Sequence, residues 1–216
     1  MTERVQFAID GVSLVRNAAM PTLQFLINIR TTPPFERVHA MVLRVQMQIA
    51  PRGRSYSEFV QNRLLDVFGS PERWHETMCN FLWAQASLSV PRFEHETTTP
   101  LPIVCTYDFD VLAVKYLQSL DTGMVPMEFL FSGTLFYHDA QRGVQVQPIS
   151  WNCEADFQLP VNIWRELMAA YYPHQAWIRI DQDLFDRLNL FRSQHEVSTW
   201  DDALRLLLDQ ETERRS

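Results

Sequence analysis

Leu43-Arg44-Val45-Gln46-Met47-Gln48-Ile49 alternates apolar and polar side chains without a break, and an alternation of period two places Leu43, Val45, Met47 and Ile49 on one face of a β-strand. Arg44, Gln46 and Gln48 then form the other face, which meets water or a partner, as in an antiparallel sheet with one covered side. Upstream, Leu23-Gln24-Phe25-Leu26-Ile27-Asn28-Ile29-Arg30 repeats the pattern with Leu23, Phe25, Ile27 and Ile29 inward, and a shorter strand is expected around Val5, Phe7 and Ile9. Downstream, Met127 to Tyr137 and Val144 to Trp151 read as two strands joined by His138-Asp139-Ala140-Gln141-Arg142-Gly143, a polar connection that ends in glycine.

Between these strands the period changes. Val60, Leu64, Val67 and Phe68 share a helical face, Gly69 is placed to end that helix, and Ser70-Pro71-Glu72 starts a second whose buried stripe is Trp74, Met78, Phe81 and Leu82. Ala84, Ala86, Leu88 and Val90 return to strand. Residues 91–100 are bracketed by prolines and read as a surface loop. After a short strand from Ile103 to Tyr107, Asp108 to Leu120 fits a helix with Phe109, Leu112, Ala113, Tyr116, Leu117 and Leu120 inward. Its start also alternates as a strand. Leu159-Pro160 opens another helix, Trp177 to Ile180 is extended, and two helices finish the chain, the last with Ser198 as N-cap and an acidic third position. The pattern predicts one α+β domain over 1–216, an antiparallel sheet or sandwich-like core: 1–158 mainly β-sheet with inserted helices, 159–216 mainly helical.

Composition narrows the function classes. The chain has 216 residues, 46% of them apolar, with 26 acidic against 19 basic side chains and a net charge of −7. It is too apolar for disorder and too acidic for a general nucleic-acid binder, and no apolar run is long enough to span a bilayer. The N-terminus lacks the pattern of an export signal, so a cytoplasmic location is expected. Eighteen of the basic residues are arginine and only Lys115 is lysine. That ratio follows from genome composition or from a surface chosen for planar, bidentate contacts. Asp181 to Ser216 holds nine acids and five arginines, more than half of the acidic excess. Cys79, Cys105 and Cys153 contain no CxxC spacing and are expected to be reduced and mostly buried.

The residues carry few chemical motifs. Six glycines form neither GxGxxG nor GxxxxGK, so no cradle for nucleotide phosphates is present, and there is no HExxH. His75 and Cys79 are one helical turn apart, but two ligands are too few for a metal. No metal or cofactor is expected. Asp108 and Asp110 read as cap and first-turn acids, Lys115 as a solvated amine, and Arg52-Gly53-Arg54 as a turn too small to bind nucleic acid. Glu94-His95-Glu96 has the composition of a tuned general base, yet neighbours in an extended loop point different ways, and a solvated or partner-gripping loop is the favoured reading. Tryptophan and arginine are the types enriched at interface hot spots. Most of the six tryptophans fall on inner faces, leaving Trp83 and Trp151 at strand edges. The candidate protein-binding set is therefore Arg44, Trp83, Arg92, Phe93, Glu94, His95 and Trp151, with no catalytic residue assigned.

Several of these segments carry a family resemblance: Leu43-Arg44-Val45-Gln46, Phe68-Gly69-Ser70-Pro71-Glu72-Arg73-Trp74, Cys105-Thr106-Tyr107-Asp108-Phe109-Asp110, the run from Val125 to Tyr137, Leu159-Pro160-Val161 with Trp164-Arg165-Glu166, and Thr199-Trp200-Asp201-Asp202-Ala203-Leu204. Together they resemble a bacterial family of unknown function, found chiefly in actinobacteria and encoded among genes for nickel-iron hydrogenases of the high-affinity, oxygen-tolerant type. The resemblance implies an accessory or assembly protein that binds hydrogenase subunits or their maturation factors. It implies no reaction and no catalytic residue; self-association stays open. A weaker likeness of Phe7 to Ile49 to the SecB export chaperone makes a holdase the alternative, beside a small hydrolase-type enzyme using Glu94-His95-Glu96.

Overall fold

The computed structural model describes residues 4–33, 35, 37–105, 111–139, 141–173 and 180–215. The chain forms two compact units, Met1–His174 and Gln175–Ser216.

In the first unit, alternation becomes two antiparallel sheets. One has the order β1-β2-β6, from Val5–Leu14, Thr22–Thr31 and Glu96–Val104. The other has the order β4-β3-β7-β8, from Phe81–Val90, Arg37–Ile49, Met124–Asp139 and Gly143–Pro160, and the short β5, Phe93–Glu94, pairs with the start of β3. Alternate residues of β2 (Leu23, Phe25, Ile27, Ile29) and of β3 (Leu43, Val45, Met47, Ile49) are fully buried, as their period requires. Rings join the sheets: Phe25 meets Phe129 of β7 at 5.2 Å, and Phe7 of β1 stacks on Phe131 at 4.2 Å. The fold is α+β, two antiparallel sheets packed against helices.

The helices between β3 and β4 have the expected inner residues but are broken. Val60, Leu64, Phe68 and Met78 are buried, but the first segment divides at Leu64 into α1 (Glu58–Arg63) and α2 (Leu65–Phe68), and Met78 follows the short α3 (Trp74–Thr77). Phe81 and Leu82, expected to be helical, open β4. Helix α4, Val111–Ser119, buries Ala113, Tyr116 and Leu117, and Leu120 just past its end is buried too, whereas Leu112 is 37% exposed and Val114 takes an inward position. The N-cap reading at Asp108 and Asp110 lies outside the described residues. Tyr56 Oη donates to the Pro51 carbonyl and contacts Tyr116 Oη at 2.8 Å, and burial holds both hydroxyls protonated by raising their pKa values. Helix α5, Val161–Tyr171, follows β8 directly and puts Trp164 against Trp83.

Residues 91–100 correct the loop expectation, since β5 and β6 run through them. Thr99, Leu101 and Ile103 are buried on alternate positions. Pro100 and Pro102 fit because β6 pairs with β2 alone, and an edge strand tolerates residues that donate no ladder hydrogen bond.

The second unit holds α6, Gln182–Gln194, and α7, Trp200–Arg215. Asp181 caps α6 through the Asp183 N–H. At α7 the capping residue is Thr199, not Ser198: its Oγ1 accepts from the Asp202 N–H at 3.1 Å and donates to the Asp202 carboxylate at 2.5 Å. Arg192 lies over the Trp200 ring at 4.3 Å. The extended reading of Trp177 to Ile180 falls largely outside the described residues.

Candidate functional site

The β7–β8 hairpin carries the irregularity that builds the site. Phe131 pairs with Cys153 and Gly133 with Ile149, so Ser150, Trp151 and Asn152 stand opposite Ser132 alone. An insertion of this kind bends the strand and re-aims its side chains. Gly133, next to the bulge on β7, has φ +147°, and a Cβ there would overlap the carbonyl oxygen of Val42 on β3. Across the bulge, Ser150 Oγ donates to Asn152 Oδ1. Trp151 at the apex is 88% exposed. A large amphipathic ring held outside by a hydrogen-bonded bulge is suited to bury itself in something else.

Ser150 and Asn152 border a cleft of about 610 Å³, also lined by Phe35, Leu135, Gln147 and Ile149. Val144 and Val146 of β8 are exposed as well, at 58% and 60%. Cys153 also lines the cleft and is buried, as is Cys105, whose thiol burial pushes up to about 12; Cys79 is exposed, and none of the three is in a disulfide among the described residues. A second, smaller depression of about 170 Å³ is lined by Arg37, His39, Arg92, Phe93, Glu94 and His138.

The residues singled out by sequence separate into three groups. Arg92 and Glu94 are exposed at the second depression, and Trp151 is exposed at the apex of the bulge. Arg44 is exposed on the outer face of the larger sheet, between Ser87 and Ser132. Trp83 is instead 3% exposed in the core, edge-on to Phe25 at 6.1 Å, and offers no surface to a partner; Phe93 is buried beneath the smaller depression.

Glu94-His95-Glu96 does not converge. Between β5 and β6 the chain passes from one sheet to the other, and His95 makes the turn with φ +60° while its carbonyl accepts from the Thr31 N–H at 2.8 Å. Glu94 pairs with Arg37 at 3.6 Å in one sheet, and Glu96 pairs with Arg30 at 3.0 Å in the other. Hydrogen bonds from Asn28 and Arg30 hold the Glu96 carboxyl below its ordinary pKa. The two carboxylates thus serve separate arginines. His75 Nδ1 lies 2.9 Å from the Glu72 carbonyl, and among the described residues no three His, Cys, Asp or Glu side chains are grouped to hold a metal. No helix of the described residues is long and apolar enough to cross a membrane.

The sequence did not single out Arg37, His39 and His138, because they come from the start of β3 and the end of β7 and only the sheet brings them together. His39 and His138 face each other with ring centroids 6.0 Å apart.

No curated protein matches this chain. Among solved structures, it is similar to the CARDB domain of the PF1109 protein from Pyrococcus furiosus, with 12% identity over 72% of this chain and 85% of that one at a TM-score of 0.28. It is similar also to a late embryogenesis abundant protein, At2g46140.1, at 12% identity over 72% and 71% with a TM-score of 0.30. The sporulation control protein Spo0M from Bacillus subtilis matches at 10% identity over 73% and 48%, with a TM-score of 0.24. Scores this low carry no argument about fold or function. A family model, by contrast, matches residues 1–216 in full, and the chain belongs to DUF6084, a family of unknown function.

Proposed function

We propose that this protein is a non-enzymatic binding protein that assists the assembly or maturation of a nickel-iron hydrogenase, and that it grips its partner with Trp151. The observation that carries the binding half of this reading is the 88% exposure of Trp151 at the apex of a three-residue bulge opposite Ser132. Bulges re-aim side chains, and an aromatic anchor surrounded by near-neutral contacts is the usual core of a protein interface. The identity of the partner rests on the family resemblance of the segments around Phe68–Trp74 and Val125–Tyr137.

Affinity purification of the tagged full chain from its host under hydrogenase-expressing conditions tests both halves. Hydrogenase subunits or maturation factors are expected with the parent protein and are depleted about tenfold or more with Trp151→Ala, in line with a hot-spot loss above about 2 kcal/mol. Purification of the parent without any of them overturns the hydrogenase assignment. Equal recovery by the parent and Trp151→Ala overturns the role of the bulge.

A SecB-like holdase is a second reading, favoured by the exposure of Val144 and Val146 on β8. It requires suppression of aggregation of an unfolded client by the purified protein; unchanged client turbidity removes it.

A further inference from the structure

We propose that the smaller depression around Arg37 and Arg92 is a docking site for an acidic segment of a protein partner, holding a single carboxylate side chain of that segment. This rests on the protein-binding reading above and adds the chemistry of a second contact.

The depression is a basic island on an acidic protein. Arg37 and His39 come from the start of β3, Arg92 from the β4–β5 turn, and His138 from the end of β7. The whole chain carries −7, yet the fixed charges lining this spot are two guanidinium groups against the carboxylate of Glu94. The nearby carboxylate of Asp139 is engaged by the N–H groups of Gln141 and Arg142. Val38 and Phe93, both buried, form the floor.

Three features choose the ligand. First, about 170 Å³ is below the ~300 Å³ at which pockets begin to enclose a whole small molecule, so the space suits one functional group. Second, the planar forks of two arginines match a carboxylate edge-on. Glu94 meets Arg37 only through Nε at 3.6 Å, longer than the ~2.7–2.9 Å of a charge-assisted hydrogen bond, and an incoming carboxylate can displace it. Arg92 has no hydrogen-bond or ion-pair partner among the described residues, so one fork is open. Third, exposed ion pairs are individually weak and screened by salt. An isolated anion therefore gains too little, whereas a peptide segment supplies neighbouring contacts on the same surface.

The test is fluorescence anisotropy of a labelled Glu/Asp-rich peptide titrated with the purified full-length protein at low salt. Saturable binding is expected, weakened about tenfold by Arg92→Ala or Arg37→Ala, the size of one charge-assisted contact. Glu94→Gln is expected to tighten it by removing the competing carboxylate, a gain that a folding defect does not produce. No binding, or binding unchanged in Arg37→Ala/Arg92→Ala, overturns the proposal. Displacement of the peptide by inorganic phosphate or single-stranded DNA at equal concentration also overturns it, in favour of a general anion site. The assay contains no hydrogenase, so a negative result combined with Trp151-dependent co-purification removes this site and leaves the preceding proposal standing.

Discussion

Replacing Gly133 and Gly11 by alanine should move stability in opposite directions, although both glycines lie in strands. At Gly133 the backbone has φ +147°, and the added Cβ would overlap the Val42 carbonyl oxygen and approach Leu43 Cα to 3.2 Å. The φ strain alone costs about 1–3 kcal/mol for a residue with a Cβ. The overlap involves backbone, so no side chain can swing away: β3 and β7 must separate, which weakens ladder hydrogen bonds worth about 1 kcal/mol each. The expected loss for Gly133→Ala is about 3 kcal/mol, which for a chain of this size lowers Tm by about 10 °C. Gly11 has nothing within 4 Å of a new Cβ and no left-handed φ, so Gly11→Ala should stabilise by about 0.5 kcal/mol through reduced freedom of the unfolded chain. Urea unfolding followed by far-UV circular dichroism measures both. A Gly133→Ala protein within ~0.5 kcal/mol of the parent would refute the claim that the approach of β7 to β3 at Val42 depends on a residue without a Cβ.

Trp83→Ala and Trp164→Ala should each cost about 3–5 kcal/mol in the same assay, whereas Trp151→Ala should stay within ~0.5 kcal/mol, because only the first two are core. Thr199→Ala should cost about 1 kcal/mol, read as fraying of the start of α7 by amide exchange, while Ser198→Ala should be neutral. Arg54→Lys should destabilise by about 1–2 kcal/mol, since one ammonium does not reproduce the fork that reaches the Thr122 carbonyl at 2.9 Å and the Met124 carbonyl at 3.1 Å. The Asp139 carboxyl is held below its ordinary value by the N–H groups of Gln141 and Arg142. A group whose folded pKa is depressed stabilises above its unfolded value, here 3.8, and that contribution disappears as pH falls through the folded value. The protection factors of the Gln141 and Arg142 amides, taken against the intrinsic exchange rate at each pH, should therefore fall in strong acid and stay constant above the carboxylate range; a flat protection profile into strong acid contradicts the assignment.

How far the sequence could be read follows from what alternation encodes. Period two identified the buried faces of β2 and β3 residue by residue, because each strand has one covered side. It could not say that β2 pairs with β1 and β6 while β3 pairs with β4 and β7, since alternation gives a face and not a neighbour. Residues 91–100 misled for a related reason: the prolines outweighed the signal of Thr99, Leu101 and Ile103, and only the position of β6 at a sheet edge makes both compatible. Trp83 and Trp151 both ended an alternating run, yet a ring at a strand end turns inward or outward according to what stands opposite. Trp83 meets Phe25 and Trp164. Trp151 is lifted out by a bulge visible only once Ser132 is seen to oppose three residues.

The arginine excess has two structural uses that composition alone could not separate. One group acts as clamps. Arg52 reaches the carbonyls of Met78 and His75, Arg54 those of Thr122 and Met124, and Arg63 that of Gln118. These carbonyls lie at or beyond the ends of short helices and at the entry to β7, positions that lack the partners a long helix or a strand interior provides. A forked, permanently charged donor satisfies two of them at once, which suits a segment whose helices are too short to satisfy their own ends. The other group, Arg44 and Arg92, is exposed and makes no hydrogen bond or ion pair among the described residues. Clamping arginines are consumed by the fold. The unpaired ones are left to meet a partner, and Arg92 stands where the surface is concave and a second guanidinium is close by.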